Sequence, residues 1–329
     1  MINSDILHQR LHNQKLSSSE FKKPADVVRW LGAVQAQDFE GAKWALALRM
    51  HSATKTVIEK AYNDGKILRT HIMRPTWHFV APDDIRWMLQ LTAPRVNTKA
   101  GPYYRKYELN AATFKRSNKA LTKALRGGKH LNRQALKAVL NEAGVAVDDP
   151  IRLVHVLLRA ELDGVICSGP VVGKQMTYTL LDERAPATEP LERDEALAQL
   201  TRRYFTSHGP ATLQDFVWWS GLTVADARRG VALIDPVRVT KRTQKSKHSA
   251  HFLPAFDEYL VAYRDRELGL LGPAVIVNGR IAGTWKRTNE NKSIVFSPSR
   301  ALNNSERIAI ASAADRYAAF VGLPVQFVY

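Results

Sequence analysis

The sequence predicts an α+β fold, mostly helical, in which one unit is repeated three times before a small β-rich module. Three segments with the apolar spacing of helices precede a β-hairpin pattern, and this order recurs at intervals of roughly 90 to 100 residues. Near the C-terminus, β-type segments around an Asn-Gly turn replace the helical pattern. Three helices and a hairpin are the order of a winged helix. We therefore predict three tandem winged-helix units, over 1–95, 96–186 and 187–250, and a C-terminal β-barrel-like module over 251–329.

The first unit is predicted from a change in the spacing of apolar residues along the chain. Apolar residues recur at helical spacing in three short segments, and then alternate as in strands on both sides of Arg74-Pro75. The predicted segments are helices over 27–34, 42–50 and 54–63 and strands over 67–73 and 76–80.

The later elements follow from capping residues and turn signals. Asn132 and Thr212 are typical N-caps, and Asp149-Pro150 is a typical helix start. We predict helices over 83–91, 111–125, 133–142 and 151–162 with strands over 165–168 and 176–180, then helices over 192–207, 212–219 and 223–233 with a β segment over 237–239. In the last module we predict strands over 274–277, 281–285, 293–296 and 325–328 and a helix over 304–320.

The charge is strongly basic and uneven. The chain has 48 Lys and Arg against 31 Asp and Glu, a net charge of +17. Between Arg95 and Lys137, twelve basic residues and one acid, Glu108, leave +11. A clustered excess of this size favours a polyanionic partner, either nucleic acid or an anionic membrane surface, although a solvated basic face is the plain alternative. We favour nucleic acid and expect no membrane partner, because the sequence lacks a basic amphipathic helix with a suitable apolar face. A second basic run contains Arg238, Lys241, Arg242, Lys245 and Lys247.

Several other classes of protein are excluded. A single cysteine, Cys167, is incompatible with an intrachain disulfide or a cysteine-based zinc site. No segment approaches the ~20 apolar residues of a membrane-spanning helix. His71 and His78 have no third ligand at metal spacing. We therefore expect a cytoplasmic protein without metal or cofactor.

Two glutamines, Gln35 and Gln37, follow the first predicted helix, with Asp38 behind them. Residues two apart do not share a helix face, so the chain must be extended by Gln35 if both side chains point the same way. Each amide then offers two donors and an acceptor. The plain alternative is a pair of polar residues at a helix end.

The chain resembles the winged-helix DNA glycosylases of the AlkZ and YcaQ type, which excise N7-alkylated guanine and unhook interstrand crosslinks. The matching stretches fall across nearly the whole chain. They are Gln35-Ala-Gln37-Asp38, residues 69–80, residues 208–221, Leu253-Pro-Ala-Phe-Asp257-Glu258-Tyr259 and Gly283-Thr-Trp-Lys-Arg287.

The resemblance implies that Gln35 and Gln37 form the catalytic pair, in the Gln-x-Gln form of the AlkZ-like branch rather than the Gln-x-Asp form. It also implies a monofunctional DNA glycosylase for N7-alkylated guanine, with double-stranded DNA as partner. We expect a monomer, associated with the nucleoid when bound to DNA. A non-catalytic winged-helix DNA-binding protein or transcriptional regulator is the alternative, although such regulators usually dimerise to read paired half-sites.

Further residues are candidates for catalytic support or DNA contact. Asp38 is either a base or, as we favour, the N-cap of the next helix. Asp257 and Glu258 resemble an acid/base pair, but structural hydrogen bonding, for example to Arg264, is the favoured interpretation. One of Trp218 and Trp219 should be core. The candidate DNA-binding residues are Arg69, Arg74, Trp77, His78, Lys115, Arg116, Lys119, Lys123, Lys286 and Arg287.

Overall fold

The computed structural model describes residues 3–235, 249–264, 272–288, 293–322 and 326–328. The β segment predicted at 237–239 and the second basic run lie outside these residues. Helices make up about half of the described residues. They are α1 (Ser4–Asn13), α2 (Pro24–Leu31), α3 (Phe39–Ala47), α4 (Lys55–Asn63), α5 (Ile85–Lys106), α6 (Ala111–Leu125), α7 (Arg133–Glu142), α8 (Pro150–Leu162), α9 (Leu181–Arg184), α10 (Arg193–His208), α11 (Leu213–Ser220), α12 (Val224–Ala232), α13 (Glu258–Val261) and α14 (Asn304–Val321).

The described strands form three sheets, with orders β1-β3-β2, β4-β6-β5 and β11-β10-β9-β8-β7. The strands are β1 (Val34–Gln35), β2 (Leu68–Ile72), β3 (Thr76–Val80), β4 (Leu131–Asn132), β5 (Ile166–Ser168), β6 (Thr177–Leu180), β7 (Ala250–Leu253), β8 (Ala274–Val277), β9 (Arg280–Thr288), β10 (Ser293–Pro298) and β11 (Gln326–Val328).

The first sheet forms because α2 stops early. Helix α2 was expected to reach Val34, but it ends at Leu31 and is followed by Gly32 at φ 82°. Glycine adopts this left-handed conformation without steric cost. The chain then extends as β1, which pairs antiparallel with β3, and β3 pairs with β2 in the predicted hairpin.

The second unit repeats the order of the first. Helix α6, strand β4, helices α7 and α8 and the β5–β6 hairpin follow one another, just as α2, β1, α3, α4, β2 and β3 do. Asn110, Asn132 and Asp149 each accept a backbone N–H from the helix that they precede. Helices α10, α11 and α12 follow, but the predicted strand behind them is not among the described residues. The assignment of all three units as winged helices stays a prediction.

Helix α5 is much longer than expected. We predicted its end at Leu91, but it continues to Lys106 through Pro94 and Pro102. Asp84 precedes it without capping it; its carboxylate accepts from the Trp87 indole at 3.0 Å and binds Arg203 instead. The buried face of α5 packs in two cores, the first with residues of α8 and α10 and the second with residues of α6 and α8. This tertiary packing offsets the cost of the two prolines.

The β-barrel-like form predicted for the C-terminal module is wrong for the described residues. Strands β7 and β11 are the two edges of an open five-stranded sheet, whereas a barrel would pair them. Helix α14 covers one face of this sheet with Ile310, Ala313 and Tyr317. The helix buries the apolar surface that a closed barrel would have enclosed.

The C-terminal module shares a core with the first unit. Trp44 on α3 donates its indole N–H to the carbonyl of Phe252 at 2.6 Å, and its ring lies 5.1 Å from that of Tyr317. This shared core brings the first residue of α13, Glu258, against β1. The predicted domain boundaries stay a prediction.

Candidate active site

The Gln35–Gln37 segment lies along an edge of the first sheet. Gln35 is opposite His78 in the β1–β3 pair, and the Ala36 N–H donates to the Trp77 carbonyl at 2.7 Å. The backbone is therefore extended at Gln35, which is the condition for both glutamine side chains to point the same way. Strand β1 is an edge strand of its sheet, and its unpaired edge meets Glu258 of the C-terminal module.

Gln35 is buried, with 7% of its surface exposed, and is held at two points. Its Oε1 accepts from Nη2 of Arg74 at 2.9 Å. Its backbone N–H donates to Oε1 of Glu258 at 2.6 Å, on the free edge of β1. Gln35 therefore has a defined orientation before any ligand arrives.

Gln37 is exposed, unlike Gln35. Its Oε1 accepts from the backbone N–H of Trp77 at 3.3 Å, which holds the side chain against the hairpin. The carbonyl oxygen has a second lone pair for another donor. An exposed amide fixed in this way is available to a water molecule or to DNA.

Asp38 is the N-cap of α3, as we favoured. Its Oδ1 accepts from the backbone N–H of Gly41 at 3.1 Å. A Cβ atom at Gly41 would lie 2.6 Å from Asp38 Oδ2, so a larger residue there would disturb the cap. The carboxylate has a structural contact that accounts for its place beside the glutamines.

Arg69 and Trp77 support the glutamine segment from the hairpin. Arg69 is only 9% exposed, and its Nε donates to the Ala36 carbonyl at 3.0 Å. Its guanidinium lies 4.2 Å from the centre of the Trp77 ring, and the ring of His71 lies 4.0 Å from that of Trp77. His71 in turn binds Glu161 of α8. Arg69 and Trp77 therefore contact protein groups that fix the segment between the two glutamines.

His78 lies beneath the site and is completely buried. Its Nδ1 donates to the Thr76 carbonyl at 2.9 Å, which fixes the protonated nitrogen of the neutral ring. Burial and the nearby Arg74 guanidinium lower the pKa of His78 to about 3. A neutral, enclosed imidazole has no access to a DNA phosphate in this arrangement. Arg74, by contrast, is half-buried and lies at the rim.

We expect the free energy of unfolding to fall as the pH drops below about 6.5, before most carboxylates titrate. Burial also lowers the pKa of His251 to about 3, so both histidines accept protons near pH 6.5 only after unfolding. Below that pH the unfolded chain binds more protons, which weakens the fold down to about pH 3. Urea unfolding over this range measures the effect, and His78→Asn should make the slope shallower. If His78→Asn left the pH dependence of the unfolding free energy unchanged, His78 would not be a source of that dependence.

The candidate basic residues of α6 and β9 are on the surface. Lys115, Lys119 and Lys123 are exposed and spaced four residues apart, so they share one face of α6. Arg116 is exposed and donates to the Gly144 carbonyl at 3.2 Å. On β9, Lys286 and Arg287 are exposed.

The Asp257–Glu258 pair is structural in its contacts, as favoured, but Arg264 is not its partner. Asp257 binds the guanidinium of Arg49 through two contacts of 2.8 Å, and both residues are fully buried. Arg264 donates its backbone N–H to Asp215 instead. The contact between Glu258 and Gln35 was missed, and no local pattern reveals it because 223 residues separate them.

The two tryptophans of α11 divide as expected. Trp219 is fully buried and donates its indole N–H to Oε2 of Glu258 at 2.9 Å. Trp218 is 38% exposed and donates to the Val261 carbonyl at 3.0 Å. Both indoles therefore tie α11 to the α13 segment.

The described ranges show neither a metal-binding cluster nor a membrane-spanning helix. Within them, no group of three or more His, Cys, Asp or Glu residues is placed to hold a metal ion. Nor does any helix in the same part of the chain combine the length and apolar character needed to cross a membrane.

Comparisons with known proteins converge on one family. A family model described as DNA glycosylase AlkZ-like matches residues 28–320. A relative from Streptomyces sahachiroi, named interstrand DNA cross-link repair glycosylase, is 25% identical over 97% of each chain. The solved structure of Streptomyces sahachiroi DNA glycosylase AlkZ is similar with a TM-score of 0.82 at 23% identity, over 99% of each chain. This last likeness concerns the fold.

Proposed function

The chain belongs to the AlkZ-like DNA glycosylase family, and from this premise we propose that it is a monofunctional glycosylase for N7-alkylated guanine in DNA repair. The relative named for interstrand DNA cross-link repair supports extending the proposal to unhooking crosslinks formed through N7. The observation that carries the catalytic assignment is the pairing of an exposed, anchored Gln37 with a buried, doubly held Gln35.

The chemistry suits neutral amides because of the substrate. An alkyl group on N7 makes guanine cationic, so the base leaves as a neutral molecule and needs little help from a general acid. The remaining barrier belongs to a positively charged, oxocarbenium-like sugar that must meet water. Fixed dipoles and a positioned water lower that barrier because they need no reorganisation during the reaction.

We assign different roles to the two amides. The exposed Gln37 holds the attacking water through its carbonyl oxygen, which the Trp77 N–H leaves with one free lone pair. Gln35 orients the sugar-phosphate, and its carbonyl holds the Arg74 guanidinium at the rim of the site. Arg74 then contacts a phosphate beside the damaged nucleotide.

The direct test is an excision assay. The full chain is incubated with duplex DNA that contains N7-methylguanine, and abasic sites are then cleaved with alkali. Alkali-dependent breaks at the modified base, without breaks before alkali, are expected for a monofunctional glycosylase. Binding without breaks on several N7 adducts would instead favour the non-catalytic DNA-binding protein.

We further propose that the protein is a monomer with three tandem winged-helix units. In this arrangement the basic face of α6 follows the DNA backbone. The described side chains Lys115, Lys119 and Lys123 share that face, and Lys286 and Arg287 are candidates for a second contact. Contacts of this type bind phosphates rather than base edges, so affinity should depend little on sequence.

Exchanging Lys115, Lys119 and Lys123 for alanine should weaken DNA binding and flatten its salt dependence. The logarithm of affinity falls with the logarithm of salt concentration by about 0.9 per neutralised phosphate, so removing one phosphate-binding lysine reduces the slope by that amount. Fluorescence anisotropy at several salt concentrations measures it. Lys60→Ala is the control, because Lys60 is exposed but lies outside the basic run and binds Asp64 at 2.7 Å. Equal slopes for the triple variant and the wild type would refute the proposed face.

A further inference from the structure

Glu258 is a completely buried carboxylate that meets the candidate catalytic strand from a distant part of the chain. It is the first residue of α13, and both of its oxygens accept hydrogen bonds. Oε1 accepts from the Gln35 N–H at 2.6 Å and Oε2 from the Trp219 indole at 2.9 Å. Nε2 of His208 lies 3.5 Å from Oε2, longer than a normal hydrogen bond.

The contact falls where the strand is least supported. Strand β1 contains only two residues and pairs with β3 on one side. On that side the Ala36 N–H meets Trp77, whereas the Gln35 N–H points outward, where a further strand would lie. A buried edge N–H without a partner is costly. Glu258 therefore takes the place of a neighbouring strand at one residue.

The surroundings of Glu258 keep its carboxyl group ionised, which is the form that can accept hydrogen bonds from both donors. Burial alone raises the pKa of its carboxyl, but the nearby His208 ring and the Gln35 N–H lower it to about 2. An ionised carboxylate accepts from both donors at once and accepts more strongly than a neutral group. The bonds from Trp219 and Gln35 leave it little freedom to rotate.

We propose that Glu258 is a positioning residue for the glycosylase reaction, which acts by fixing Gln35 and with it the direction of the Gln35–Gln37 segment. This inference rests on the proposed function, because it takes Gln35 to be part of the catalytic pair. It adds that the C-terminal module is required for chemistry as well as for folding. A small shift of Gln35 misplaces the amides relative to the sugar, and misplacement of about 1 Å can cost ~10²-fold in rate.

The test is Glu258→Gln in the full chain. A glutamine side chain of the same shape has one acceptor oxygen and an NH₂ group, so it cannot accept from both Gln35 and Trp219. We expect single-turnover excision of N7-methylguanine to slow by ~10²-fold at saturating protein, with duplex affinity nearly unchanged. The matched control is Glu306→Gln, the same change at a largely buried carboxylate of the same module that binds Arg300. Similar losses in both variants, or a wild-type rate in Glu258→Gln, would overturn the inference.

Variants of the two glutamines separate this inference from the proposed function. If Glu258 acts by placing the two amides, Glu258→Gln should slow excision much less in a background that lacks both amides, Gln35→Ala with Gln37→Ala, than in the wild type. Gln35→Ala alone is not sufficient for this comparison, because it keeps the backbone N–H that Glu258 binds and leaves Gln37 in place. A wild-type rate in Gln35→Ala would refute the catalytic role of Gln35 itself. Impaired Gln35→Ala combined with fully active Glu258→Gln would refute the positioning role alone.

The wild-type protein supplies a measurement that needs no variant, should Glu258→Gln fail to fold. A short bond to a buried carboxylate should shift the Gln35 amide proton downfield in the NMR spectrum and protect it from hydrogen exchange. Fast exchange of this proton with an unshifted resonance would overturn the contact and the inference.

Discussion

Replacing Gln37 with alanine should slow single-turnover excision of N7-methylguanine by about 10²- to 10³-fold while leaving DNA affinity nearly intact. The Gln37 amide is exposed and anchored at the Trp77 backbone, so its loss removes one preorganised dipole and little structure. In other enzymes, loss of one oxyanion-hole donor raises the activation barrier by about 2.7–4 kcal/mol. We expect a similar increase when the Gln37 amide is removed. Excision rates measured beside binding under the same salt conditions separate chemistry from affinity.

Gln37→Asp is the matched variant, because it recreates the Gln-x-Asp pattern of the sister branch. A carboxylate keeps the acceptor for the Trp77 N–H and adds negative charge beside a developing positive charge. We expect this variant to retain part of the activity that Gln37→Ala loses. Excision by Gln37→Ala at the wild-type rate would show that Gln37 has no catalytic role.

Replacing Arg49 with methionine should destabilise the protein by about 3–5 kcal/mol. Arg49 is fully buried and donates to Asp257 through two contacts of 2.8 Å, and to Ala45 and Gln14 at 2.9 Å each. The substitution preserves most of the volume but leaves the Asp257 carboxylate buried without its counter-charge. The pair joins the end of α3 to the loop before α13, so its loss also weakens the support of Glu258.

Urea unfolding followed by tryptophan fluorescence measures this loss. The double variant Arg49→Met with Asp257→Asn should recover part of it, because the unpaired charge is then gone. Lys60→Met, which breaks an exposed pair with Asp64, should leave the stability almost unchanged. If Arg49→Met and Lys60→Met had equal, small effects, the buried pair would not be a stabilising contact.

Short-range patterns predicted much of the secondary structure. Helices α6 and α7 have the predicted limits, and Asn132 caps α7 as expected. The hairpin around Arg74-Pro75 also lies where the change of period indicated. These features depend on residues within a few positions of each other, so the sequence contains their determinants locally.

Elements whose form depends on packing were predicted less well. Pro94 indicates a helix end, yet α5 continues past it because its apolar face is buried against other helices. The strands of the C-terminal module were found, but α14 covers their sheet and leaves it open. The sequence of a single strand does not specify which other element will cover its apolar face.

In the candidate site, too, features set by neighbouring residues were predictable from the sequence, whereas features set by tertiary packing were not. The sequence by itself determined the spacing of Gln35 and Gln37 and favoured the Asp38 cap, since both depend on neighbouring residues, but it left an extended chain and a helix end as alternatives at Gln35. Only the tertiary structure decided that His78 is enclosed, that Glu258 and Arg74 both bind Gln35, and that Trp219 binds Glu258. The physical reason is that a buried polar atom takes whichever partner the folded chain brings to it, and that partner lies 223 residues away for the Gln35 N–H.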